Sequence, residues 1–221
     1  MKKYRLLIAL FVLLTASCQQ DALVEEYYEL SAEFLSYCYF EPGSYWVYQK
    51  NNENVFDTIV VDSIISYTGV NGLTEESDNR FIYDAIEELV QIPNKQNIRK
   101  WEIAASLKTN VSGNEVSNEL LRIYFNDRYN IALYPNTPQG EKIDFGSKEG
   151  YYETMAHFSQ FSIPGNTFYE VYHTRVYDSL HPGGIRITDF YIARNHGIIT
   201  YTYQTPVDTV TWKLVDWDLT Q

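Results

Sequence analysis

The chain has 221 residues, of which 45% are hydrophobic and 16% aromatic, and it carries a formal net charge of −12. A surface this acidic repels phosphate backbones, so the composition excludes a protein whose main partner is a nucleic acid. The length suits one large domain or two small ones. Since no stretch rich in Pro, Gly or Ser divides the sequence, we expect a single large domain.

The first residues have the pattern of a secretory signal. A cationic head with Lys2, Lys3 and Arg5 precedes an unbroken apolar run over residues 6–14. That run is shorter than the roughly 20 residues of a transmembrane helix, and it lies within the roughly 7–15 residues of a signal peptide. We therefore expect residues 1–17 to be removed.

The segment from Thr15 to Cys18 resembles the cleavage site of a bacterial lipoprotein. By this resemblance the Cys18 thiol carries the lipid, with palmitate among its acyl chains, and Cys18 becomes the first mature residue. An ordinary secreted signal with a chance cysteine is the alternative. Two or more acyl chains make a lasting anchor. Without residues 1–17, 14 basic residues face 29 acidic ones, so electrostatic docking on anionic lipid is not expected.

Residues 18–39 are expected to form a lipidated tether. The tether is acidic. Its apolar residues Leu23, Tyr27, Leu30 and Phe34 have a rough helical spacing, which predicts that part of the tether forms a short helix. With Cys18 occupied by lipid, Cys38 has no disulfide partner in the chain. We expect Cys38 to be a small buried hydrophobe.

Residues 40–221 are predicted to form a single β-rich domain, because the texture changes to Tyr, Val, Ile, Thr and Trp punctuated by turn formers. Predicted strands cover residues 44–49, 57–67, 80–85, 100–109, 118–126, 130–135, 166–178, 185–193, 197–204 and 209–217. Hairpin turns are expected at residues 111–114, 182–184 and 195–197.

The alternation of apolar and polar residues within these strands favours antiparallel pairing with one solvated face, as at Val210, Trp212 and Leu214. The predicted fold class is therefore all-β, with a large curled antiparallel sheet that is either a closed barrel or an open half-barrel. A two-sheet sandwich is the alternative, since periodicity does not separate these architectures.

Four stretches carry a resemblance to a family: FEPGSYWVYQ, DTIVVDSI, DFYIARNHGIITYTY and TWKLVDW. Together they resemble lipoproteins of Bacteroidota that have no assigned activity, which open with an aromatic, Gly and Trp-x-Tyr stretch and close with a Tyr-rich hairpin and a Trp-x-Leu strand. The resemblance implies a lipid-anchored protein of the outer membrane. Acidic residues soon after the lipidated cysteine, here Asp21, Glu25 and Glu26, are typical of surface display in that group; a periplasm-facing anchor stays open.

The same group uses an O-glycosylation system whose acceptor is Asp, then Ser or Thr, then a small or apolar residue. This resemblance implies four candidate acceptors, at Thr58, Ser63, Ser179 and Thr209. Strand starts rich in Asp, Thr and Val produce the same triplet without any modification. By sequence, Ser179 beside the predicted turn at 182–184 is expected to be the best exposed.

Motifs of catalysis or metal binding are not found in the sequence. The four His residues are scattered, and the chain has neither a zinc signature nor a nucleophile elbow nor a phosphate-binding Gly-rich loop. We predict no catalytic residue, no metal and no cofactor. Acid pairs such as Glu87 and Glu88 are expected to be solvated surface charge, and joining His157 or His173 to Asp144 or Glu153 has no basis in the sequence.

The aromatic load is the remaining functional signal. Tyr and Trp present an apolar ring with a polar tip, and a predicted ligand platform combines residues on strands expected to be adjacent: Tyr201, Tyr203, Trp212 and Trp217. Core and cross-strand packing is the other interpretation of these aromatic residues.

The favoured function is a non-catalytic envelope lipoprotein that binds a glycan or small apolar ligand through an aromatic face or cavity. The alternative is a structural or accessory subunit that contacts an envelope protein.

Overall fold

A computed structural model describes residues 25–71, 80–92, 95–105, 109–111, 114–116, 119–125, 128–144, 150–179 and 184–221. By the density of its contacts the chain divides into a small unit, Met1–Tyr27 with Val70–Ile82, and a large unit, Tyr28–Gly69 with Tyr83–Gln221. The features that follow belong to the large unit unless stated otherwise.

One short helix and fifteen strands make up the described secondary structure. In chain order they are β1 (Glu25–Tyr28), α1 (Ala32–Cys38), β2 (Tyr45–Lys50), β3 (Phe56–Asn71), β4 (Arg80–Ile92), β5 (Lys95–Ala105), β6 (Thr109–Val111), β7 (Asn114–Val116), β8 (Glu119–Phe125), β9 (Arg128–Leu133), β10 (Lys142–Asp144), β11 (Gly150–Ile163), β12 (Asn166–Asp178), β13 (Arg186–Ala193), β14 (Gly197–Gln204) and β15 (Thr209–Asp218).

Twelve of the strands form one continuous sheet in the order β10-β11-β12-β13-β14-β15-β2-β3-β4-β5-β8-β9, and β1 pairs with β4. Strands β6 and β7 form a separate hairpin. Most neighbours in the large sheet are also neighbours in sequence, because short turns join antiparallel strands directly. The exceptions are β5 with β8, which are separated by the β6–β7 pair, and β15 with β2, which brings the C-terminal strand beside the first strand after α1.

This arrangement confirms the predicted fold class, an all-β chain with a large curled antiparallel sheet and a short N-terminal helix. The path of pairing ends at β10 and β9, so the sheet is open and the closed-barrel alternative is wrong. The curl is visible where the two end regions meet: the Thr174 hydroxyl on β12 donates to the carbonyl of Ala132 on β9 at 2.6 Å. Tyr134, just after β9, donates its N–H to the Tyr152 hydroxyl on β11 at 3.0 Å.

Large aromatic side chains fill the inner face of the curled sheet. Trp46 on β2 packs against Trp101 on β5, with ring centroids 5.3 Å apart, and Phe40 meets Trp46 edge-on at 4.9 Å. Burying such rings contributes strongly to the driving force for folding, since each removes about 150–250 Å² from water. Much of the aromatic load therefore belongs to the core.

Helix α1 lies against this inner face and is shorter than the predicted spacing implied, because Tyr27 belongs to β1. Ser31 caps its N-terminus by accepting a hydrogen bond from Phe34 N–H at 3.1 Å. Phe34, Tyr37 and Cys38 form its buried side, and Tyr37 meets Tyr172 of β12 edge-on at 5.3 Å. Among the described residues, no helix combines the length and the apolar character that a membrane crossing needs.

Candidate functional site

The strands β11, β12 and β13 turn one row of side chains inward and another outward. Tyr152 and Val176 are paired across β11 and β12, and both are buried. Their neighbours Tyr151 and Tyr177 are also paired, and both remain partly exposed. Because side chains alternate between the faces of a strand, the outward row of these three strands forms a solvent-facing surface.

Six residues of this outward row contact one another, and we call them the outer cluster: Tyr151, His173, Arg175, Tyr177, Asp189 and Tyr191. Register places them in direct cross-strand pairs: Tyr151 faces Tyr177, Arg175 faces Asp189, and His173 faces Tyr191. Such pairs are the units through which side chains stabilise a sheet. The outer cluster is therefore a consequence of strand register.

An ion-paired centre holds the outer cluster together. Arg175 Nε donates to Asp189 Oδ1 at 2.9 Å, and its Nη2 donates to Oδ2 at 3.2 Å. His173 Nε2 lies 3.0 Å from Asp189 Oδ1, and its N–H donates a hydrogen bond to this carboxylate oxygen. The two-point contact of a guanidinium with a carboxylate fixes the orientation of both groups. Asp189 is only 6% exposed although it lies on the outward row, because its partners cover it.

The protonation of Asp189 follows from these contacts. Burial alone would raise the pKa of its carboxyl, but hydrogen bonds from His173 and Arg175 favour the ionised form and lower the pKa below its ordinary value. The hydrogen bond to Asp189 likewise raises the pKa of Arg175. Burial raises the pKa of Tyr191, and the charge of Asp189 adds to that rise. Asp189 is therefore a stable carboxylate that orients its neighbours.

Two stacks of rings lie on either side of the ion-paired centre. Tyr151 and Tyr177 are parallel within 9° with centroids 5.0 Å apart, and Lys142 Nζ lies 4.3 Å from the Tyr151 ring centroid. On the other side, His173 stacks on Tyr191 at 4.2 Å, and Phe161 stacks on Tyr191 at 4.6 Å.

The spacing of these stacks determines which atoms face solvent. Parallel rings that are paired across neighbouring strands, which lie about 4.8 Å apart, stand upright on the sheet. Their polar tips and ring edges therefore point outward, and only the end rings offer a full face. The outer cluster combines hydroxyl, imidazole and guanidinium groups with apolar ring edges in a small area, which suits a ligand bearing both hydroxyl and C–H groups.

The four residues of the predicted ligand platform lie on the inner face of the sheet. Tyr201 and Trp212 are cross-strand partners with stacked rings 6.3 Å apart, and they are 7% and 8% exposed. Tyr201 also contacts Tyr48 at 5.6 Å. Tyr203 and Trp217 are half-buried and pack against the core. The structure thus brings these four aromatic residues to one face, and it is the face that the core occupies.

A bulge in β15 decides the orientation of Trp217. Leu214 pairs with Tyr48 and Trp217 pairs with Trp46, so Val215 is an extra residue in the register with β2. Regular alternation would turn Trp217 away from the side of Trp212, and the bulge returns it to the inner face. There it contacts Phe168 and His196, at 5.7 and 5.5 Å between ring centroids.

The predicted O-glycosylation acceptors differ in exposure. Thr58 and Ser63 are half-buried on β3, and Ser179 is half-buried directly after β12. Thr209, at the start of β15, is exposed, and its N–H is held by Asp208 Oδ1 at 2.8 Å. Thr209 rather than Ser179 is therefore the most accessible hydroxyl of the set, and glycosylation at all of them stays a prediction.

The structure describes only one of the two cysteines, Cys38. Cys18 lies outside the described residues, so its lipidation stays a prediction. Cys38 is 1% exposed and carries a free thiol, which donates to the carbonyl of Phe34 at 3.3 Å. Burial raises the pKa of the Cys38 thiol, and the charges of Glu88 and Glu119 raise it further. Cys38 is accordingly a buried thiol within the core.

Two expectations about charged side chains prove wrong or incomplete. Glu88, expected at the surface with Glu87, is fully buried on β4 and accepts a hydrogen bond from Phe40 N–H at 2.8 Å.

His173 does have an acidic partner, but that partner is Asp189. His157 lies 3.3 Å from Glu170 and stacks on Tyr172. In the part of the chain that the structure describes, no group of three or more His, Cys, Asp or Glu side chains is arranged to hold a metal ion.

The sequence contains a signal for the outer cluster that composition alone does not reveal. In β12 the residues His173, Arg175 and Tyr177 alternate, and in β13 Asp189 and Tyr191 do the same. Each set marks one strand face that carries hydrogen-bonding side chains. Only the register of β12 with β13 shows that the two sets are opposite each other.

Comparison of the chain with protein-family models, with curated proteins and with solved structures finds no match.

Proposed function

We propose that the chain is a non-catalytic lipoprotein of the cell envelope, anchored to the outer membrane through Cys18, and that its outer cluster binds a glycan. The signal-like residues 1–17 and the residues around Cys18 support the anchor. The outer cluster supports the ligand class, because a sugar offers hydroxyl groups to polar side chains and C–H groups to ring edges.

One observation carries the proposed function: two upright ring stacks flank the Arg175–Asp189 pair on a solvent-facing sheet surface. Tyr151 and Tyr177 are partly exposed and lie outside the core that holds Tyr201 and Trp212, whereas Tyr191 and Phe161 are partly covered because they also pack against that core. In the outer cluster the rings are only partly covered, and hydrogen-bonding groups stand between them. This arrangement favours a glycan over a purely apolar ligand, which would cover the hydroxyl groups of Tyr151 and Tyr177 without offering them hydrogen bonds.

Binding is tested with the full-length protein, purified in detergent from its own membrane, against a panel of immobilised glycans. Tyr177→Ala should weaken binding roughly fivefold, as expected when an aromatic contact worth about 1 kcal/mol is lost. Tyr169→Ala is the matched control, since Tyr169 lies on the same strand, is 63% exposed and is not part of the outer cluster. Equal loss in both variants, or binding to no glycan, would refute the proposed ligand.

The anchor is tested by mass spectrometry of the same preparation. The denatured protein should have the mass of residues 18–221 plus lipid, with hexose increments if an Asp-Ser/Thr acceptor is used. A Cys18→Ser variant should lose the lipid mass and leave the membrane fraction. An unmodified chain in the wild type would contradict the anchor and leave the glycan test unaffected.

An interaction module is the second function that an observation favours. Large apolar side chains are exposed on β3, with Phe56 at 48% and Ile65 at 50%. Apolar side chains exposed at separate points along one strand are candidate contact points for another protein. Cross-linking in intact cells, followed by loss of the product in a Phe56→Ser and Ile65→Ser double variant, would favour this function over glycan binding.

A further inference from the structure

The cationic groups in and beside the outer cluster are already engaged within the protein. Arg175 and Asp189 form a two-point ion pair, with distances of 2.9 and 3.2 Å. Lys142 lies directly opposite Glu153 in the register of β10 with β11, and its Nζ covers the Tyr151 ring at 4.3 Å. Arg175 is thus matched by an acidic residue, and the Lys142 ammonium is engaged by an aromatic face.

This internal pairing limits the charge that a ligand can carry. An anionic ligand, such as a uronic acid or a sulfated sugar, needs a cation that is free to pair with it. Arg175 is held by Asp189, and the net charge of −12 of the whole chain repels anions. A cationic ligand needs a free carboxylate, but the Asp189 side chain is 9% exposed and its oxygens already accept hydrogen bonds from Arg175 and His173.

The length of the outer cluster limits the size of the ligand. Tyr177 and His173, which belong to the two ring stacks, are four residues apart on β12. At roughly 3.3 Å per residue this separation is about 13 Å. A single sugar ring reaches only one stack, whereas a short chain of sugars reaches both and passes over Arg175.

We propose that the outer cluster binds a neutral oligosaccharide, which lies along β12 and contacts both ring stacks. This inference rests on the proposed function and specifies the charge and the length of its glycan. Hydroxyl groups of the ligand take the place of water at the polar tips of Tyr151, Tyr177 and Tyr191, and no ion pair forms between ligand and protein.

The test measures equilibrium binding of the full-length protein in detergent to length series from monosaccharide to hexasaccharide. The neutral probes are glucan, mannan and xylan oligosaccharides, and the charged probes are oligogalacturonides and sulfated oligosaccharides of equal length. We expect at least one neutral series to bind, with an affinity that rises with length until both stacks are covered. The charged series should not bind.

Charge variants reverse this preference if the inference is correct. Asp189→Asn frees the Arg175 guanidinium and should raise affinity for oligogalacturonides by about tenfold, the gain of one charge-assisted hydrogen bond. Since Asp189 is buried, this variant is checked for folding by circular dichroism. Glu153→Gln is the second variant; it removes a negative charge opposite Lys142 and near Arg175 without touching Asp189, and it should act in the same direction.

The outcomes separate the inference from the proposed function. Wild-type protein that binds oligogalacturonides or sulfated sugars as well as neutral ones would overturn the inference and leave glycan binding intact. Affinity that is the same for a monosaccharide and a hexasaccharide would overturn the extended ligand. Binding to neither class would remove both the inference and the proposed glycan.

Discussion

At the scale of single residues, Glu88 is the most unusual group in the described chain. It is 0% exposed, its Oε1 accepts from Phe40 N–H at 2.8 Å, and its Oε2 has no hydrogen-bond partner among the described residues. Burial raises the pKa of Glu88 from 4.5 to about 8, against the hydrogen bond from Phe40, and the charge of Glu41 adds to the rise. Glu88 is therefore mainly a neutral acid at pH 7.

This pKa predicts how stability depends on pH. Between about pH 4.5 and about pH 8 the folded chain keeps the Glu88 proton and the unfolded chain has lost it. The contribution of Glu88 is thus complete below pH 4.5 and is lost as pH rises to about 8, by at most about 1.4 kcal/mol per pH unit. Urea unfolding of Glu88→Gln should show a smaller decline over this range than wild type.

Glu87→Gln is the control for this prediction, because Glu87 adjoins Glu88 on β4, is partly exposed and pairs with Lys100. It should leave the pH dependence of stability close to that of wild type. The same decline in wild type and Glu88→Gln would show that another group is responsible. The sequence presents the two acids as equivalent, and only their positions on opposite faces of β4 separate them.

At the scale of elements, α1 depends on contacts at its N-terminus and along its buried side. Ser31 accepts from Phe34 N–H at 3.1 Å, and its own hydroxyl donates to Glu119 Oε2 on β8 at 2.9 Å. The helix has only seven residues, too few to be stable alone. Its cap and its packing on the inner face must therefore maintain it.

Ser31→Ala removes both side-chain contacts and should lower the free energy of unfolding by about 1 kcal/mol, the usual cost of losing an N-cap. Ser36→Ala is the matched control within the same helix, since its hydroxyl only donates back to the carbonyl of Glu33 at 2.6 Å, a contact that contributes little to helix stability. Thermal unfolding measures both variants. Equal melting temperatures for Ser31→Ala and wild type would contradict the role of the cap.

Elements with regular alternation could be predicted from the sequence, and β12 and β14 have the predicted bounds. Strand β11 was not predicted. Its inward row contains Thr154, and a bulge between Thr154 and Ala156 interrupts the alternation. The predicted strand at 80–85 stops short of the end of β4, because Glu87 and Glu88 are uncommon in strands. The outer cluster needed β11 and the register of β12 with β13, so it could not be assembled from the sequence.

At the scale of the whole molecule, Cys38 reports on unfolding. Its thiol is buried and its pKa is raised by burial, so the reactive thiolate is scarce and out of reach of reagents. With Cys18 acylated, the protein should have no thiol that reacts with maleimide in the native state. After denaturation it should have one, as mass spectrometry of the labelled protein would show.

A Cys38→Ala variant is the control and should take up no maleimide under either condition. Rapid labelling of native protein at Cys38 would contradict the buried thiol. Two labels after denaturation would instead contradict acylation of Cys18 and leave the core unaffected. The alternating strands rich in Tyr, Val, Ile and Thr predicted the fold class of this molecule. The openness of its sheet follows from long-range pairing that local sequence does not encode.

The contacts between the two ends of the domain have a mechanical consequence. Glu41 N–H donates to the carbonyl of Thr220 at 2.7 Å, and Gln221 Nε2 donates to the carbonyl of Ser36 at 3.2 Å. A pull on the N-terminal end therefore loads the pairing of β1 with β4 and then the contacts of α1, before it reaches the backbone ladder that joins β2 to β3 and β15. Under tension β1 and the segment of α1 would peel away first, while the strands that carry the outer cluster stay paired.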